Sequence, residues 1–138
     1  MNTTVNDIMV RSVVTVSAGA TVGSVRDTML EQGVHALPVT DETGHPVGMI
    51  TANDLLENFP DDTLIARIVD PKVYVIPRYE GTHIAARIMR NHKIHHLVVT
   101  DEGVIVGIVS SFDLLKLVED HRFTMKNPPS QGNRRGKG

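Results

Sequence analysis

Apolar residues recur along this chain in two periods, one suited to strands and one to helices. Val13-Val14-Thr15-Val16 is a short β-branched run closed by Ser-Ala-Gly-Ala, which predicts a strand and then a turn. Behind Thr21, the residues Val22, Val25 and Met29 fall at helical spacing, and Gly33 stops that helix. Apolar runs from His35 to Thr40 and from Pro46 to Ile50 flank Asp41-Glu42-Thr43-Gly44, which suits a hairpin. A last helix is expected to start near Ala52 and to carry Leu55 and Leu56. The order then returns, with a strand expected at Val73 to Ile76, a helix from Thr82 to Asn91, strands at His96 to Thr100 and Val104 to Val109, and a helix from Ser111 to Glu119. Short entry helices are expected at Val5 to Met9 and Thr63 to Val69, with Pro60-Asp61-Asp62 at the junction. Near-continuous apolar strands such as Val104 to Val109 imply sheets covered on both faces, by helices on one side and by the sister repeat on the other.

The recurrence is an internal repeat. A shift of 60 sets Ile8 on Ile68, Val13 on Val73, Met29 on Met89, His35 on His95, Leu37 on Leu97 and Asp41 on Asp101. One residue is lost in the turn at Gly44 and Gly103. A shift of 59 then sets Val47-Gly48-Met49-Ile50-Thr51 on Val106-Gly107-Ile108-Val109-Ser110, and Asp54-Leu55-Leu56 on Asp113-Leu114-Leu115. The repeats run over residues 5–60 and 61–120. A unit of about 60 residues buries only about 60% of the surface its unfolded chain exposes, so the two halves are expected to share a core.

Composition narrows the picture without naming a chemistry. The chain has 138 residues, 41% hydrophobic and 22% charged, as expected for one compact soluble unit. It has no cysteine, which removes disulfides and thiolate metal sites and suits a reducing compartment. The N-terminal residues have neither a basic region nor an apolar run, and no later stretch is long and apolar enough to span a bilayer, so a cytoplasmic location and no membrane contact are expected. Formal net charge is −2, yet residues 121–138 carry Arg122, Lys126, Arg134, Arg135 and Lys137 and no acid. That segment, rich in Pro, Gly, Ser and Asn, reads as a disordered basic tail. With one aromatic, Phe123, it makes a poor nucleic-acid signature.

At this point the ordered motifs resemble a known family. Gly33-Val34-His35-Ala36-Leu37-Pro38-Val39, an Asp-Gly turn and Val47-Gly48-Met49-Ile50-Thr51-Ala52-Asn53-Asp54-Leu55-Leu56 look like a CBS domain. Lys93-Ile94-His95-His96-Leu97-Val98-Val99 and Val106 through Leu115 repeat the pattern. The resemblance implies an α/β (α+β) fold in which two β-α-β-β-α repeats pack through their sheets about a pseudo-two-fold axis. It further implies two clefts for adenosine-containing ligands and a homodimer that signals to an effector protein, in a stand-alone pair with no effector domain of its own.

The physical case for a nucleotide rests on Thr51-x-x-Asp54 and Ser110-x-x-Asp113. Each sits where an apolar strand enters a helix, beside free backbone N–H groups suited to a phosphate. A hydroxyl can donate to that phosphate, and an ionised Asp accepts from both hydroxyls of a ribose. The same spacing is also an ordinary capping box. The two uses are compatible, since the hydroxyl can cap the helix while the cleft is empty. His92, His95 and His96 are close in sequence, but a strand sends His95 and His96 to opposite faces, so no metal site is expected.

By family geometry, the first strand and His segment of one repeat face the Asp of the other. One cleft then combines Thr51 and Asp54 with Lys72, His95 and His96; the other combines Ser110 and Asp113 with Ser12, Val13, Val14 and His35. The clefts are expected to be unequal, with the charged ligand preferring Asp54. Val13, Val14, Val73 and Tyr74, with Met49 and Ile108, are candidate walls for adenine. The expected function is a non-enzymatic sensor of AMP, ADP, ATP or a related dinucleotide, requiring no cofactor; the alternative is a dimeric scaffold with vestigial clefts. No Walker-type loop, nucleophile with a spaced base or paired acid motif supports catalysis.

Overall fold

The computed structural model describes residues 3–120, so the basic tail expected over residues 121–138 lies outside the described residues. Each repeat builds one three-stranded sheet. In the first, β1 (Val16–Ser17), β2 (Ala36–Thr40) and β3 (Pro46–Thr51) lie in that order, with β1 parallel to β2 and β2 antiparallel to β3. In the second, β4 (Val75–Pro77), β5 (His96–Asp101) and β6 (Val104–Ser110) repeat the order and the senses. The register even breaks at the same place, between Val39 and Thr40 and between Val99 and Thr100.

A helix covers one face of each sheet. α2 (Val22–Gln32) starts at a reciprocal cap, Thr21 Oγ1 accepting from the Ser24 N–H and Ser24 Oγ from the Thr21 N–H, both at 3.2 Å. It ends at Gly33 in the left-handed conformation, φ 64°. Its Val22, Val25 and Met29 pack on Leu37, Val39 and Ile50. α3 (Thr82–His92) does the same with Ala85 and Met89 on Leu97, Val99 and Val109. The opposite sheet faces are closed too: Ala36 and Pro38 are buried, and Val98, which alternates with Leu97 and Val99, is fully buried.

The entry segments cross over. α1 (Val5–Ile8) belongs to the first repeat by sequence, yet Val5 and Met9 complete the core of the second with Ile76, Leu97 and Val109. Its backbone is tied there as well, the Val5 N–H donating to Glu80 O at 2.8 Å. The corresponding one-turn 3-10 helix Ile65–Arg67 opens the second repeat and seats Ile65, fully buried, in the core of the first. Burying an aliphatic side chain of this size is worth about 1.5–3 kcal/mol, so each repeat stabilises its sister directly.

Three expectations change. The first strands are shorter: Val13 and Val14, and Val73 and Tyr74, precede β1 and β4 rather than joining them. The entry at Thr63 to Val69 forms a single 3-10 turn. The helix expected from Ala52 is also one 3-10 turn, Asn53–Leu55, whereas its counterpart α4 (Ser111–Asp120) is a full helix. Pro60 accounts for the last difference, because it pushes Phe59 towards extended backbone and leaves too few residues for a stable helix. Phe59 packs on the first core instead.

Candidate functional site

A cavity of about 550 Å³ between the repeats opens at the C-terminal end of β3. Thr51 ends that strand, and the 3-10 turn behind it carries Asp54. The two side chains cap each other's backbone: Asp54 Oδ2 accepts the Thr51 N–H at 2.9 Å and Thr51 Oγ1 accepts the Asp54 N–H at 3.2 Å. The capping arrangement therefore exists, and it leaves the carboxylate with acceptor capacity for further hydroxyls.

The rest of the lining comes from both repeats. Lys72, Val73 and Tyr74 run along one wall where the chain approaches β4, and His95 and His96 enter from the start of β5. Tyr74 is held in place: its ring lies 4.5 Å from that of His92 and tilted by 32°, and the Lys72 ammonium stands 5.9 Å from its centroid. Met49 supplies an apolar wall, and Asp70 turns its carboxylate back to accept the Lys72 N–H at 2.9 Å.

Among the described imidazoles His96 is the one that is half-buried, the others being exposed. Burial pushes its pKa below the ordinary histidine value, the neighbouring His95 adds to this, the Asp113 carboxylate opposes it, and His35 lowers it further. Protonating His96 is therefore resisted unless an anion arrives to compensate. His95 differs in being exposed, with Nδ1 3.3 Å from Ser111 Oγ.

The second cleft is smaller, about 230 Å³, and its lining has no charged side chain. Ser12, Val13 and Val14 line it with Ala36, Pro38 and Ile108. Ser110 and Asp113 cap each other as their counterparts do, at 2.9 and 3.1 Å, but neither lines this cavity, and Asp113 is only 8% exposed. His35 is also placed differently from expectation, on the rim of the Asp54 cavity. Hairpin register explains this: Ala36 pairs with Thr51, and the Ala52 N–H donates to His35 O at 2.8 Å, tying His35 to its own repeat's Thr51 turn.

Sequence reasoning passed over Lys93, which lines the larger cavity beside Ile94. The available signal was a mismatch within the repeat, lysine where the first copy has the helix-stopping Gly33. Among the described residues no group of three or more His, Asp or Glu is arranged to hold a metal ion, and no helix is long and apolar enough to cross a membrane.

Known proteins agree with this architecture. The family model for the CBS domain matches residues 5–61 and again residues 65–120. The CBS domain pair of protein MJ0100, solved in complex with 5′-methylthioadenosine and S-adenosyl-L-methionine, superposes with a TM-score of 0.80 at 26% identity, over 86% of this chain and 98% of that one. The cytosolic domain of the Mg2+ channel MgtE in complex with ATP gives a TM-score of 0.73 at 29% identity, over 80% of this chain and 47% of that one. A homoserine O-acetyltransferase of Methanosalsum zhilinae is 33% identical over 125 residues, 89% of this chain and 25% of that protein. The chain spans between a quarter and a half of the length of the first curated relatives it matches. The chain belongs to the CBS-domain family, as a tandem pair.

Proposed function

We propose that this protein is a non-enzymatic sensor: AMP, ADP, ATP or a related adenosine dinucleotide binds between the repeats, and an effector protein reads the resulting change. The observation that carries this reading is the composition of one cavity, which joins a ribose-type acceptor, Asp54, from one repeat to Lys72, Tyr74, His95 and His96 from the other. A ligand held by both repeats has different affinity for their different arrangements, which is the condition for shifting one towards another. The adenosine ligands named in two related structures support the choice of ligand class. The uncharged second cleft is the weaker site for any phosphate.

Isothermal titration of the purified chain with AMP and ATP tests the reading. Hydrogen bonds to a charged group are worth about 1.5–3 kcal/mol each, so Asp54→Ala is expected to weaken binding tenfold or more. Asp54→Asn, which keeps an acceptor for the Thr51 N–H and removes the charge, separates ligand contact from capping. Wild-type protein silent towards both nucleotides, or unchanged affinity in both variants, overturns it.

We propose further that the pair acts as a homodimer. Leu30 and Leu56 on the first repeat are 81% and 79% exposed, and Phe112, Leu115 and Val118 on α4 are at least 60% exposed. Such apolar surface is the usual mark of an interaction site.

A further inference from the structure

We infer that Lys93 makes the mouth of the Asp54 cleft a subsite for the outer phosphates of a nucleoside polyphosphate, so that the cleft distinguishes ATP from AMP through this one side chain. The inference rests on the nucleotide reading above. Its starting point is the backbone. Lys93 caps α3 at φ 56°, a left-handed conformation that the first repeat gives to Gly33 at φ 64°. Glycine accepts that geometry without steric cost and a side chain with a Cβ does not. The second repeat thus carries a strained lysine at a position where the fold itself is satisfied by glycine, and strain of this kind gathers at functional sites.

The setting gives the lysine something to do. From Lys93 to His96 the chain descends from the exposed rim of the cavity to the half-buried start of β5, and all four residues from Lys93 to His96 line the cavity. A phosphate attached to a ribose on Asp54 meets His95 and His96 first. Each further phosphate adds negative charge and extends towards solvent, where Lys93 and Lys72 are the two lysines of the lining. The smaller cleft has no counterpart, since its lining carries neither lysine nor arginine.

Lys93→Gly is an unusually clean probe, because it removes the ammonium while relieving the backbone. The melting temperature of the unliganded variant is expected to be no lower than that of wild type. Titration is expected to show a tenfold or larger loss of ATP affinity and a much smaller loss for AMP, with Lys93→Arg restoring the preference for ATP. Equal losses for the two nucleotides, or no loss for ATP, overturn the role of Lys93 and leave the nucleotide reading intact. Wild-type binding of AMP without ATP also overturns it, and wild-type binding of neither overturns both.

Discussion

His96 is the residue whose surroundings say most about how the cleft works. Burial, His95 and His35 favour its neutral form, against the opposing pull of Asp113, so the folded protein resists a proton that the unfolded chain accepts at the ordinary value of about 6.5. A lowered folded-state value means that stability is complete above the unfolded value and is lost as pH falls through it, until the folded-state value is passed. The melting temperature is expected to drop between pH 7.5 and 5.5, and His96→Gln to flatten that drop; a melting temperature that rises on acidification contradicts the assignment. Much of this residue-scale picture was legible in the sequence, because the repeat picked out Asp54, Lys72, His95 and His96 and the geometry of the family it resembles implied that they share a cleft, as they do. Lys93 was not, since a lysine near a helix end reads as ordinary solvated surface until its φ is known.

At the scale of elements, the repeat predicted both hairpins and both covering helices almost residue for residue, because periodicity in a buried face fixes them. It missed what depends on neighbours. Nothing local says that the opening segment of each repeat leaves to pack on the other, although Gly48 and Gly107 hint at it. A Cβ on Gly48 would stand 2.8 Å from Asp70 O, and one on Gly107 would stand 3.0 Å from Val10 O, where the crossing segments pass over β3 and β6. The bridges Met49 to Asp70 and Val10 to Ile108 mark the same crossings. Gly48→Ala meets backbone and a β-branched side chain and is expected to cost about 1–3 kcal/mol. Gly107→Ala first meets the flexible end of Met9, which can move, and is expected to cost less in the same chemical denaturation experiment. Equal losses would show that the crossings do not differ in rigidity.

For the molecule as a whole, the two copies are alike in fold and unlike in chemistry. The full helix α4 of the second copy is answered by a single 3-10 turn in the first, and one cleft holds the lysines that the other lacks. Light scattering is expected to give the mass of a dimer, and Phe112→Asp, which alters neither cleft's lining, to give a monomer. A wild-type monomer would remove the dimer from the proposal. The exchanged entry segments also bear on how the chain folds. The first core cannot close with its own repeat alone, because it takes Ile65 from the second, and the second core takes Val5 from the first to pack with Leu97 and Val109. Neither half of the described chain is therefore a finished unit by itself, and the two cores are expected to form in one cooperative step rather than one after the other.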